Sequence, residues 1–243
     1  MYLYGKNSII ERLNAFPGSI KKVFVQDNFR SPEILDTLAS SKIPVRRVSE
    51  RDLIKMKKAD RLQGIVAEVE DFKYVPFEEL LGRAGKEKIT LVFLDNISDP
   101  HNLGSIMRIT ACFGGFAVVI PKHDACEVNE TAVHVASGGE NFTPVAKITN
   151  MTNALIKAKN AGFWIVGTVV EGGTDINDIE LPFPLCLVLG SEGKGIRHGV
   201  MKQIDFKASL PMRGAALSFN VAMACAIFGH EVSRQRAKLG KAE

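Results

Sequence analysis

The chain has 243 residues, 46% of them hydrophobic and 24% charged, a composition typical of a folded globular protein rather than a disordered one. The sequence contains no apolar run of about 18 residues, and its start lacks the basic and apolar regions of a secretory signal, so we expect neither a membrane span nor export. The cysteines show no CxxC spacing, so we expect no metal site. We expect their thiols to be free, which suits a reducing cytoplasm. The cysteines are Cys112, Cys126, Cys186 and Cys225.

The excess positive charge lies in the first third of the chain. The formal net charge is +4, and residues 1–75 carry 14 Lys and Arg against 10 Asp and Glu, whereas the remainder carries 17 of each. The densest basic cluster consists of Arg46, Arg47, Arg51, Lys55, Lys57, Lys58 and Arg61. This cluster could contact the phosphates of a nucleic acid, or it could be the solvated face of a lysine-rich helix.

Short alternating elements are predicted over the first 71 residues. Apolar periodicity predicts helices at 8–15, at 32–40 and from about residue 50, and strands at 21–26, 44–49 and 63–71. These elements indicate a compact α/β domain over 1–71. The stretch 72–88 mixes Pro76, Gly82 and Gly85 around a short turn in PFEELL, and we interpret it as an interdomain linker.

From residue 89 to residue 243 the pattern is typical of a larger α/β domain. Apolar segments predict strands at 90–96, 116–122, 143–148, 163–170, 184–190 and 204–212, and helices at 104–113, 129–137, 151–161 and 218–239. Strands that are apolar on both faces and alternate with helices imply a mainly parallel sheet covered on both sides. The last helix is apolar nearly all round as far as His230, which suits either a subunit interface or the core of a monomer.

Three loops that follow buried strands are candidate ligand sites, because ligands of α/β sheets bind beyond the carboxyl ends of the strands. They cover 94–108, 187–196 and 210–220, and each combines glycine with polar side chains. Glycine allows a ligand to approach the backbone closely, while Asn, Ser and Glu supply directional hydrogen bonds. Neither GxGxxG nor GxxxxGK[ST] occurs, which disfavours a Rossmann methyltransferase and a P-loop ATPase.

The segments DPHNLGSIMR, LGSEGKGI and LPMRGAALSFN resemble, in order and spacing, the three signature motifs of the SpoU/TrmH class of RNA 2′-O-ribose methyltransferases. The resemblance covers about 90–236. It implies a deep trefoil knot in the C-terminal domain, S-adenosylmethionine as cofactor, structured RNA as partner and a homodimer. The first 71 residues, with YGKNSIIERL and LQGIVAEV, resemble the small RNA-binding domain related to ribosomal protein L30e.

The resemblance also implies which residues form the site. The expected catalytic residues are Asn102, Arg108, Glu192, Ser218 and Asn220, and the expected cofactor-binding residues are Thr168, Gly190, Leu210, Met212 and Phe219. Gly104 lies one helical turn before Arg108, and we expect its missing side chain to leave room for RNA. Taken singly, Ser218 and Asn220 could cap the last helix, and Glu192 could be an ordinary acid at a turn or helix start.

Arg108 is expected to act as an electrostatic clamp rather than a general base. An arginine pKa above about 12 makes deprotonation costly, whereas a guanidinium can stabilise a developing alkoxide and hold a phosphate. The chain departs from the class at Phe219, where leucine is usual, and in SGGENFTPV, where an alanine-rich run is typical. We expect the first change to alter packing and the second to leave catalysis untouched.

The resemblance thus implies S-adenosylmethionine-dependent methylation of a ribose 2′-hydroxyl on a guanosine of large-subunit (23S) rRNA. Two alternatives are a tRNA 2′-O-methyltransferase and a non-catalytic RNA-binding factor in ribosome assembly. A non-catalytic RNA-binding factor would not need all five of the expected catalytic residues. The small N-terminal domain favours ribosomal RNA over tRNA, because the tRNA members of the class resemble a bare catalytic domain.

Overall fold

The structure is a computed structural model that describes residues 1–59, 62–215 and 217–239. These residues form one sheet of four strands and a second of seven. No helix within the described ranges combines the length and apolar character needed to cross a membrane.

The N-terminal unit is a small α/β fold, as predicted. Its elements are β1 (Tyr2–Tyr4), α1 (Lys6–Ala15), a 3₁₀ turn (Pro17–Ser19), β2 (Ile20–Gln26), α2 (Pro32–Ser40), β3 (Val45–Val48), α3 (Glu50–Met56) and β4 (Ile65–Val69). The strand order is β1-β4-β2-β3. β4 runs antiparallel to both of its neighbours, and β3 is a parallel edge strand beside β2.

The segment predicted as a short turn within a linker is an 11-residue helix, α4 (Phe77–Glu87), so the prediction of a turn is wrong. Phe77, Leu80 and Ala84 are buried against the second sheet, at a spacing that is typical of one helix face. Gly82 and Gly85 are on the exposed side of this helix, where a missing side chain costs little packing. The glycines therefore suggested a loop where an amphipathic helix forms.

The C-terminal unit has the predicted mainly parallel sheet. Its elements are β5 (Thr90–Asp95), α5 (Pro100–Phe113), β6 (Phe116–Pro121), α6 (Glu130–Ala136), a 3₁₀ turn (Gly139–Asn141), β7 (Val145–Ile148), α7 (Met151–Asn160), β8 (Trp164–Val169), β9 (Thr174–Asp175), β10 (Leu185–Gly190), α8 (His198–Met201), β11 (Phe206–Ser209) and α9 (Val221–Leu239). The strand order is β7-β6-β5-β10-β8-β11-β9, and every pairing is parallel. The α/β class is confirmed, while the trefoil knot stays a prediction.

The two units pack against each other through α1, β1 and α6. The rings of Tyr4 and His134 stack with centroids 3.9 Å apart and an interplanar angle of 13°. His134 Nδ1 also lies 3.1 Å from the Tyr4 carbonyl oxygen. One cluster of buried apolar residues includes Leu3 and Ile9 of the first unit together with Val92 of the second. The N-terminal unit is therefore seated on the C-terminal unit.

Candidate active site

Three side chains from the three candidate loops meet at the carboxyl edge of the seven-stranded sheet. Asn220 Nδ2 donates to Glu192 Oε1 at 2.7 Å and to Asn102 Oδ1 at 2.9 Å. Asn102 Nδ2 lies 3.3 Å from the same Glu192 oxygen. All three of these hydrogen bonds are exposed at the surface. The parallel strands β5, β10 and β11 bring their loops together because their carboxyl ends share one edge.

Asn102 is fixed by the start of α5. Asp99 is the N-cap, and its Oδ1 accepts from the His101 backbone N–H at 2.8 Å, while Pro100 occupies the first helical position. The first turn of the helix therefore holds Asn102 at the end of the strand. Asn220 is fixed in a similar way, because its Oδ1 accepts from the Ala222 backbone N–H at 2.9 Å at the start of α9.

The loop that carries Glu192 folds back on the end of β10. The Gly195 N–H donates to the Ser191 carbonyl oxygen at 2.8 Å. A Cβ on Gly190 would lie 2.3 Å from the Gly195 carbonyl carbon, so this position requires glycine. The close approach of the returning loop explains why residue 190 is a glycine. The contact of Gly190 with the cofactor stays a prediction.

An ion pair between buried Asp95 and half-exposed Arg197 anchors this loop to β5, and sequence reasoning missed it. Asp95 is fully buried and aligned with Gly190 across the sheet. Its Oδ2 accepts from the Arg197 N–H at 2.8 Å, and its Oδ1 accepts from Arg197 Nε at 2.7 Å. The sequence does carry a signal, because an acid ends the largely apolar strand TLVFLD. A carboxylate is costly to bury unless a partner pairs with it.

Arg108 does not join the three converging side chains within one chain. It lies six residues beyond Asn102 on α5, which places it about 120° around the helix and about 9 Å along it. Its side chain is exposed and makes no hydrogen bond or ion pair with any residue that the structure describes. The guanidinium is therefore available to a group outside the chain.

The predicted role of Gly104 is wrong. Gly104 is buried, and a Cβ there would lie 2.4 Å from the Ala132 carbonyl oxygen and 2.7 Å from Val135 Cβ. The missing side chain allows α5 and α6 to pack closely, and it does not make room for RNA.

The other predicted residues lie around the same edge in different environments. Thr168 Oγ1 donates to the Val188 carbonyl oxygen at 3.2 Å, which ties β8 to β10. Leu210 is buried and Met212 is half-buried against the same core. Phe219 is 43% exposed, and Ser218 is exposed without a hydrogen bond to any described residue. The contacts of these residues with a cofactor stay a prediction.

The predicted basic cluster is divided between surface and domain interface. Its exposed members lie on or just after β3 and α3, and they are Arg46, Arg47, Arg51, Lys55 and Lys58. Lys57 instead forms an ion pair with Glu130 of the C-terminal unit and lies over the Tyr4 ring, so it is not available to phosphates as predicted. Arg61 lies outside the described residues.

The SpoU rRNA methylase family model matches residues 89–230, and the model for the substrate-binding domain of RNA 2′-O-ribose methyltransferases matches residues 2–75. The fold and site therefore define an RNA 2′-O-ribose methyltransferase. The chain belongs to the SpoU rRNA methylase family. The predicted family, enzyme class and cofactor, S-adenosylmethionine, are confirmed.

Similar proteins cover nearly the whole chain. The 23S rRNA (guanosine-2′-O-)-methyltransferase RlmB of Coxiella burnetii is 36% identical over 239 residues, covering 96% of this chain and 95% of the relative. The protein of the same name from Nitrosomonas europaea is 34% identical over 241 residues, covering 98% and 92%. The SpoU methyltransferase AviRb of Streptomyces viridochromogenes, solved with AdoMet, has a TM-score of 0.79 at 22% identity and covers 98% and 91%.

Proposed function

We propose that this methyltransferase modifies the ribose 2′-hydroxyl of a guanosine in 23S rRNA. The names of the relatives from Coxiella burnetii and Nitrosomonas europaea support this substrate, since both align with this chain over almost its full length. The observation that carries the proposal is the convergence of Asn102, Glu192 and Asn220 from three separate loops. The division into an RNA-binding domain at 1–71 and a catalytic domain at 89–243 is part of the proposal.

The chemistry of the donor set fits the cofactor. S-adenosylmethionine supplies an electrophilic methyl group on a sulfonium cation. Glu192 Oε1 is held by the two asparagine amides and by the Val221 N–H at 3.4 Å. Its Oε2 accepts no hydrogen bond from the described residues, so an anionic acceptor stays available to a cation or to a ribose hydroxyl.

Each of the chain's polar groups has a distinct role in the proposed reaction. Glu192 Oε2 accepts a hydrogen bond from the ribose hydroxyl, orients its oxygen and receives its proton as the methyl group is transferred. Asn102 and Asn220 hold the carboxylate in place. Ser218, two residues before Asn220, supplies a further hydroxyl to the substrate. Arg108 holds an RNA phosphate and stabilises negative charge as it develops on the ribose oxygen.

We further infer that the enzyme acts as a homodimer in which Arg108 serves the site of the partner protomer. Arg108 is exposed and lies about 120° around α5 from Asn102 of its own chain. Apolar side chains are exposed at 61% for Met223 and 39% for Ile227, one turn apart on α9. α9 packs against α5, the helix that carries Arg108. Burial of this apolar surface against a second copy would place both copies of Arg108 at the interface.

A cytoplasmic location is part of the proposal, since ribosomal RNA is made and assembled there. The four cysteines are free, as a reducing compartment requires.

Mapping of 2′-O-methyl groups in a strain that lacks the gene tests the substrate. We expect the loss of one methyl group on a guanosine of 23S rRNA, with tRNA unchanged. Loss of a mark in tRNA alone would assign the tRNA alternative. No lost mark, together with no binding of S-adenosylmethionine by calorimetric titration, would support the non-catalytic assembly factor.

A further inference from the structure

The 3₁₀ turn Gly139–Asn141 lies between α1 of the RNA-binding unit and α5 of the catalytic unit. The side chain of Glu140, in the middle of this turn, is completely buried. Glu140 Oε1 accepts from Arg12 Nη2 on α1 at 3.1 Å, and Oε2 accepts from the Gly138 N–H at 3.0 Å. The Arg12 side chain is only 11% exposed. The two units are therefore joined by a largely buried ion pair between Arg12 and Glu140.

The other side of this turn presses on the main chain of α5 at Arg108. A Cβ on Gly139 would lie 2.8 Å from Arg108 Cα and 3.2 Å from the Arg108 nitrogen. Thr143, just after the turn, donates from Oγ1 to the Met107 carbonyl oxygen at 3.1 Å. The turn is thus in direct contact with the point on α5 from which Arg108 projects.

A buried ion pair adds little net stability, because removing both charges from water costs about as much free energy as their attraction returns. Burial raises the pKa of Glu140, while its own backbone N–H and Arg12 act to lower it. Replacement of a buried pair by well-packed apolar residues often leaves a protein equally stable, whereas loss of one partner is costly. A pair of this kind does fix one geometry, because Arg12 and the Gly138 N–H hold separate oxygens of the Glu140 carboxylate.

We propose that Glu140 is a positioning residue for Arg108, and that Arg12 makes this positioning depend on the docking of the RNA-binding unit. The turn held by Arg12 and Glu140 sets where the α5 backbone carries Arg108. The inference rests on the proposed function, since it requires that Arg108 contacts the reacting RNA. It changes the expectation that the SGGENFTPV departure leaves catalysis untouched, because this segment contains the turn.

The test is a kinetic double-mutant cycle on the full-length protein. Glu140→Gln should lower kcat about 10- to 100-fold, since a misplacement of about 1 Å remote from the chemistry has effects of that size. The KM for S-adenosylmethionine should stay unchanged, because Arg108 does not contact the cofactor in the proposed site. In an Arg108→Ala background, measured in single turnover, Glu140→Gln should have little further effect, because both changes remove the same contribution.

The matched control is Glu130→Gln, which breaks a different interdomain ion pair, with Lys57, at the start of α6. It should leave kcat within about twofold of wild type. If Glu140→Gln does not fold, Gly139→Ala takes its place, because its added methyl group would displace the turn from Arg108 without a change of charge. Its loss of kcat should likewise vanish in the Arg108→Ala background.

Several results would overturn this role. They are an unchanged kcat for Glu140→Gln, losses that multiply fully with Arg108→Ala, an equal loss for Glu130→Gln, and a loss confined to cofactor binding. In each of these cases wild-type protein still forms 2′-O-methylribose, so the proposed function stands. A wild-type protein that forms no 2′-O-methylribose would overturn the proposed function and this role with it.

Discussion

Asn220 shows how one side chain can serve both structure and site. Its Oδ1 caps α9 by accepting from the Ala222 N–H, and its Nδ2 donates to Glu192 and Asn102. The sequence left open whether this residue caps a helix or belongs to the site. An amide carries an acceptor and two donors on opposite sides, so both interpretations hold at once.

Arg108→Lys tests whether Arg108 holds an RNA phosphate through two hydrogen bonds. Lysine keeps the charge but loses the planar fork that binds a phosphate through two parallel hydrogen bonds. We expect kcat to fall about 10- to 100-fold while the dissociation constant for S-adenosylmethionine, measured by calorimetry, stays unchanged. Arg83→Lys is the control, because Arg83 is an exposed arginine on α4 that pairs with Glu87. Near-normal turnover of Arg108→Lys would refute the bidentate clamp.

The strand β5 and the loop after β10 are linked by the ion pair between Asp95 and Arg197. Arg197 is 47% exposed, so it can reach water if its partner loses charge, whereas Asp95 is enclosed. The loop that bears Glu192 thus depends on a carboxylate that never touches the substrate. This dependence predicts a loss of cofactor affinity from a change beneath the site.

Asp95→Asn should lower the free energy of unfolding by about 1–3 kcal/mol, the cost of leaving a buried polar group poorly paired. It should also weaken S-adenosylmethionine binding, measured by calorimetric titration, because the loop loses its anchor. Asp205→Asn is the matched control, since Asp205 accepts from the Ile165 N–H at 2.9 Å at the opposite end of the sheet. This control should lose stability without losing cofactor affinity. Equal effects of the two changes on affinity would contradict the anchoring role.

The long elements could be predicted from sequence, and the contacts between elements could not. Buried strands such as β5 and β10 are continuous apolar runs, which made the parallel sheet predictable. β1 and β9 are too short to show a period and form only by pairing with β4 and β11. The three motifs identified Asn102, Glu192 and Asn220, but the pairing of Asp95 with Arg197 joins residues about a hundred positions apart. No local pattern encodes such a contact.

For the whole molecule, we propose that each site combines Arg108 of one chain with Glu192 of its partner. A mixture of two inactive variants can test this directly. If Arg108 acts across the interface, Arg108→Ala and Glu192→Gln homodimers that exchange subunits should regain about one quarter of wild-type activity, because half of the dimers are mixed and one of their two sites is intact. Methyl transfer before and after subunit exchange gives the measurement. No recovery in dimers shown to have exchanged would place Arg108 and Glu192 in the same chain's site.

In the proposed function, the cluster of Asn102, Glu192 and Asn220 directs methyl transfer to one guanosine of 23S rRNA. The most direct measurement maps 2′-O-methyl groups in the deletion strain after return of the wild-type gene or the Glu192→Gln gene at equal protein level. We expect that wild type restores the missing guanosine methyl group and that Glu192→Gln does not. Full restoration by Glu192→Gln would show that the cluster does not direct the reaction.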